Sequence, residues 1–206
     1  MQFRSLPPAF LLVVTLAFLA GCSSPAPGPV QPATAVTTAI APVVTTPDPY
    51  ALAYLTLLPS EMPFTVVNSK ATIPDLSDPA FVVFRATRGY TQFSINQTND
   101  SPSAEQLGQM IVEFPPGFAN QAYEYLLLQN RQADQTQYSL TWLPDPRIGN
   151  MSCAFVVRDR TGAMKPRAMI YFQKGNIVES VVLISPSPDV AALTQAARLA
   201  AAKVQQ

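Results

Sequence analysis

Histidine is missing altogether from these 206 residues. Its absence removes the commonest metal ligand and the only side chain that titrates near neutrality unaided. It also excludes a Ser-His-Asp triad, a Cys-His dyad, an HExxH zinc site and a histidine-held haem. Charge is scarce too, since 13 Lys and Arg balance 13 Asp and Glu and only 13% of residues are charged. A chain with no net field has nothing to draw a phosphate backbone along its surface, so no nucleic-acid partner is expected. Neither GxxxxGK[ST] nor GxGxxG occurs, no repeat recurs at a fixed period, and no long apolar run reaches the roughly 20 residues of a membrane span. With no catalytic, cofactor or metal motif assembled, the reading is of a chain that is not an enzyme.

What is present begins with a short apolar run, Leu6 to Ala20, preceded by Arg4 and opened by Pro7-Pro8. Its length and flanks are those of a secretory signal over residues 1–21, cleaved in the mature protein. The run ends in Leu19-Ala20-Gly21-Cys22, which resembles the lipobox of prokaryotic lipoproteins read by the type II signal peptidase. That resemblance implies that Cys22 receives a diacylglyceryl group and an acyl chain such as palmitate, and becomes the first residue of the mature protein. Two or three acyl chains, at about 0.8 kcal/mol per buried methylene, suffice for stable anchoring. The protein is then extracytoplasmic, lipid-anchored to the cell membrane or the outer membrane.

Residues 23–49, "SSPAPGPVQPATAVTTAIAPVVTTPDP", carry no charge before Asp48 and recurrent proline. Proline fixes φ and withholds a donor, so the stretch reads as an extended or disordered tether running from Cys22 to residue 49. Its threonine and proline content is also that of O-glycosylated stalks. Sequons stand at Asn96, Asn99 and Asn150.

Residues 50–206 read as one α+β domain. Asp48-Pro49 caps a short helix ending near Pro59. Residues 59–81 are proline-punctuated and read as mostly irregular with short pieces. "GYTQFSIN" and "QMIVEF" alternate like half-buried strands. Phe118, Ala122, Tyr125 and Leu126 recur at helical spacing within residues 116–130. "YSLTWL", "SCAFVV", "AMIYFQ" and "NIVESVVLI" follow, divided by turn chemistry at Pro144-Asp145-Pro146, Thr161-Gly162 and Lys174-Gly175. Last, Ser187-Pro188-Asp189 caps a helix with an apolar stripe at Val190, Leu193, Ala197, Ala200 and Val204. The expected architecture is an antiparallel meander packed against amphipathic helices. "IGNMSCAF", "AMIYFQKGNIVESVVL" and the Ala-rich terminal helix together resemble PsbP-like secreted lipoprotein domains. That likeness implies an α/β/α fold over residues 80–206 and no catalytic residue.

Individual candidates are sparse. With Cys22 acylated, Cys153 is left without an intramolecular disulfide partner, and its apolar strand context points to a buried, inert thiol. Asp75, Asp78, Glu105, Glu113 and Glu124 are scattered acids from which a carboxylate pair would have to converge. Arg158, Arg160, Lys165 and Arg167 cluster at a hairpin and read as a solvated loop. Phe93, Phe114, Tyr125, Tyr138, Trp142, Phe155 and Tyr171 fall at core-facing positions. The leading expectation is a non-enzymatic binding or accessory module at the envelope, meeting a protein partner through a sheet edge or loops. The alternative is a carrier of a small, lipid-like apolar ligand between sheet and helices.

Overall fold

The computed structural model describes residues 48, 50–77, 79–97, 104–132 and 136–204, within one compact unit, Pro47–Gln206. The signal segment, Cys22, the tether and the sequon at Asn99 lie outside the described residues. Seven strands form one fully antiparallel sheet: β1 (Asn68–Thr72), β2 (Arg88–Ile95), β3 (Gln106–Glu113), β4 (Tyr138–Trp142), β5 (Met151–Asp159), β6 (Arg167–Lys174) and β7 (Ile177–Ile184), in the order β1-β2-β3-β7-β6-β5-β4. Two meanders, β1–β3 and β4–β7, meet where β3 pairs with β7, Gln106 opposite Ile184 and Glu113 opposite Ile177. The expected α+β class and antiparallel sheet are therefore present.

Strand β7 lies at the centre because "IVESVVLI" is apolar on both faces, with every residue but Ile184 buried. Its hairpin with β6 turns on Gly175-Asn176, and Gly175 takes the positive φ of 59° that a tight two-residue connection demands.

Helices cover both faces. Helix α3 (Val190–Lys203) starts where the Asp189 side chain accepts from the amides of Ala191 and Ala192, at 2.9 and 3.0 Å. Leu193, Ala196, Ala197, Ala200 and Ala201 are buried against Val156, Ile170, Phe172 and Val181. Small side chains let the α3 axis approach the sheet closely. On the opposite face, α2 (Ala119–Gln132) and the short α1 (Pro79–Val83) pack Ala122, Tyr123, Phe81 and Phe84 on Val112, Val178 and Phe114.

Two expectations need correction, and the short pieces expected within residues 59–81 take definite form. The helix over 50–58 is instead two single 3-10 turns, Ala53–Leu55 and Pro59–Glu61, because Leu52, Leu55 and Leu57 must all be buried and their spacing of three then two fits no α-helical face. The irregular stretch contains β1, an edge strand exposed at every residue, together with part of α1. The second helix buries Ala119, Ala122, Tyr123 and Asn130, so of the expected stripe Ala122 is in the core while Phe118, Tyr125 and Leu126 are half-buried at its margin.

Candidate functional site

The most unusual chemistry lies beneath the segment that leads into the domain. Residues 55–57 leave the first 3-10 turn across the α3 face of the sheet, and the Leu55 carbonyl and the Leu57 amide have no ladder or helix partner among the described residues. Gln109, on β3, supplies them: its Oε1 accepts from Leu57 N at 2.8 Å and its Nε2 donates to the Leu55 carbonyl at 3.3 Å. The second Nε2 proton goes to Glu179 Oε1 on β7, at 2.6 Å. Lys203, at the end of α3, holds the same segment from the other side, donating from Nζ to the Thr56 carbonyl at 2.6 Å and pairing with Glu61 Oε2 at 2.5 Å.

Glu179 is fully buried, and among the described residues its Oε2 has no hydrogen-bond partner. Desolvation pushes this carboxyl up to about 8, against the Gln109 hydrogen bond and the Lys203 charge, both of which favour the anion. Glu61 moves the other way: burial would raise it, but Lys203 and the Leu58 amide together hold it below the usual carboxylate range. Neither acid was among those singled out in the sequence. The available signal was a glutamate inside the apolar run "IVESVVLI" and a glutamine inside the strand "QLGQMIVE"; in the sheet Gln109 stands opposite Val181, one diagonal step from Glu179.

The acids that were singled out do not converge. Glu113 pairs with Arg88 and accepts from Asn176, and Glu105 is held by Asn96 and Ser185. Asp75 accepts from the Ser77 amide, Glu124 is exposed, and Asp78 lies outside the described residues.

Cys153 sits on the α2 face, half-buried, where desolvation raises its thiol and the Tyr123 hydroxyl bonds to it. The aromatics are mostly packed: Phe155 is fully buried, 4.8 Å from the Trp142 ring and 5.8 Å from Tyr171. Trp142 departs from its expected core position. It is 40% exposed on the edge strand β4, with the Arg131 guanidinium 5.5 Å over its ring. Of the basic hairpin, Lys165 reaches the Ala104 carbonyl and Arg167 the Met164 sulfur.

Two recesses among the described residues are open to solvent. One, of about 490 Å³, is walled by Pro59, Met62, Pro63 and Phe64. The other, of about 340 Å³, lies between the loop Arg147–Asn150, Lys174 and the α3 residues Arg198, Ala201 and Ala202. Its loop is held firmly: Asp145 Oδ1 accepts from Arg147 N at 2.9 Å and from Ser152 Oγ at 2.5 Å, and Asn150 N donates to the Gln173 carbonyl at 2.8 Å. Arg147 has a positive φ of 55°, which L side chains rarely adopt. Among the described residues no group of three or more acidic, cysteine or histidine side chains could hold a metal, and no helix is long and apolar enough to cross a membrane.

These features define a seven-stranded antiparallel sheet with helices on both faces, a buried acid under its entry segment and a basic recess on its rim. No protein-family model and no curated protein matches the chain. Among solved structures it is similar in fold to the extracellular domain of PknH from Mycobacterium tuberculosis, with a TM-score of 0.54 at 12% identity, covering 77% of this chain and 97% of that one.

Proposed function

We propose that this chain is a non-enzymatic binding or accessory module of the cell envelope, lipid-anchored through Cys22 and displayed on the tether of residues 22–49. The observation that carries the reading is the fold shared with an extracellular domain over nearly the whole of that domain. The lipobox-like Leu19-Ala20-Gly21-Cys22 supports it from an independent direction. A module of this kind needs a stable scaffold and exposed loops rather than assembled catalytic groups. The scaffold is the double-meander sheet, and the loops at its rim are braced by side-chain caps such as Asp145.

Metabolic labelling with a fatty-acid probe tests the anchor. The wild-type chain is expected to take up label and partition with membranes, and Cys22→Ser to do neither. Equal labelling of the two would overturn the anchor. For the binding role, cross-linking on intact cells followed by capture is expected to recover a discrete envelope component with the wild-type chain, and its repeated absence would overturn the role.

A further inference from the structure

We propose that the recess between the Arg147–Asn150 loop and the C-terminal half of α3 binds a phosphate-bearing ligand. In naming what the module binds, this rests on the binding-module reading. Three cationic side chains line the recess, Arg147, Lys174 and Arg198, in a chain with no net charge. Lys174 donates from Nζ to the Ala201 carbonyl at 2.9 Å and so answers the negative end of α3, and the Arg147 charge helps hold the neighbouring Asp145 ionised without forming an ion pair with it. The ion pairs among the described residues are Arg88–Glu113 and Lys203–Glu61, which leaves both recess guanidiniums without a carboxylate partner. The nearest acid in sequence, Asp145, points its Oδ1 at the Arg147 amide and the Ser152 hydroxyl, and these hydrogen bonds keep it below the usual carboxylate range.

Two planar, permanently charged forks suit the tetrahedral oxygens of a phosphate better than a single carboxylate. The volume of about 340 Å³ fits a phosphorylated small molecule or headgroup and is too small for a folded partner. The loop is pre-formed: Gly149 has a positive φ of 66°, and a Cβ there would lie 2.4 Å from the Gln173 carbonyl oxygen, so the chain is pressed against β6 in one conformation. A braced loop loses little freedom on binding.

A titration of the full chain carrying Cys22→Ser, isotopically labelled, with inorganic phosphate against chloride at matched ionic strength, tests the assignment. Since this chain cannot be acylated at Cys22, the result is independent of whether the anchor exists. Saturable amide shifts are expected at Gly149, Asn150, Ala201 and Ala202. Arg198→Gln, on an exposed helix position, and Arg147→Gly, which suits the positive φ, should each weaken binding about tenfold while leaving the remaining spectrum unchanged. Co-sedimentation with phosphatidylcholine vesicles containing phosphatidylglycerol, lost in both variants, would identify a lipid headgroup as the source of the phosphate. Binding of inorganic phosphate without vesicle binding would identify a soluble ester. Shifts confined to the Arg158–Arg167 hairpin, shifts equal in wild type and variants, or no response to either probe would overturn the proposal.

Discussion

The two faces of the sheet are closed by different means. On one, α2 packs Ala122 and Tyr123 onto Val112 and Val178, and a regular helix satisfies its own backbone. On the other, α3 covers part of the surface and irregular chain around Leu55 and Leu57 covers the rest. That irregular chain brings buried amides and carbonyls with no internal partners, and the sheet answers with Gln109, Glu179 and, from α3, Lys203. The polar node on the α3 face serves the backbone of the chain that closes it, whereas the polar contacts on the helical face, such as Tyr123 with Cys153, join side chains only.

The sharpest way to separate the faces is pH. The folded carboxyl of Glu179 stands at about 8 against an ordinary 4.5, so the neutral acid is the form that fits the core. Its contribution is fully present below 4.5 and is lost as the pH rises toward 8, by up to about 5 kcal/mol at roughly 1.4 kcal/mol per unit. Denaturant midpoints taken from pH 4 to 9 should fall over that window in the wild-type chain and flatten in Glu179→Gln, which becomes the more stable of the two at pH 8. A slope that survives the substitution would show that the node is not its source.

Gln109→Leu should cost about 3 kcal/mol, because it strands the Leu57 amide and the Leu55 carbonyl and takes from Glu179 its only hydrogen-bond partner among the described residues. On the helical face, Tyr123→Phe removes one hydroxyl bonded to Cys153 and should cost about 1 kcal/mol. Equal losses would erase the distinction between the faces.

How far the sequence discloses this arrangement differs by element. Strands β2 to β7 are legible because alternation or continuous apolarity marks them and glycine and proline divide them. Strand β1, "NSKAT", is exposed at every residue, so an edge strand carrying Lys70 offers no apolar period to detect. Asp48 makes a local turn, accepting from Tyr50 N at 2.9 Å, but it caps no helix: the first 3-10 turn starts after Leu52, and the chain follows the sheet surface. The node escapes sequence reading because Gln109 and Glu179 are 70 residues apart and meet only through the β3–β7 pairing. The basic recess is equally non-local: Arg147 lies on the loop before β5, Lys174 ends β6, and Arg198 comes from the last helix.

The loop before β5 joins the two cores, since Ile148 is buried on the α3 face and Met151 packs on the α2 face. Gly149 makes that passage. Gly149→Ala should cost about 2 kcal/mol, from a positive φ and a Cβ 2.4 Å from the Gln173 oxygen. Gly162→Ala shares the positive φ, 73°, but meets nothing within 4 Å, and should cost only about 1 kcal/mol. Melting both variants separates backbone strain from steric contact, and a Gly162 loss as large as that at Gly149 would show that contact with β6 adds nothing.

The smallest effect tests whether the irregular cover is held from both sides. Glu61 sits below its ordinary value, so its stabilisation is present above about 4.5 and is lost as the pH falls, the opposite slope to Glu179 under the same segment. Its ion pair with Lys203 is partly exposed, the two side chains retaining 23% and 20% of their accessible surface. Glu61→Gln should therefore cost about 1 kcal/mol at pH 7 and progressively less as acid protonates Glu61 in the folded chain, with salt narrowing the difference. In the double variant Glu61→Gln with Glu179→Gln, both slopes should flatten while the Gln109 hydrogen bonds to residues 55 and 57 remain. Protection of the Leu57 amide from hydrogen exchange should then persist, because Gln109 and not either acid is its direct partner. Loss of that protection in the double variant would mean that the carboxyls, acting together, position the glutamine that holds the cover down.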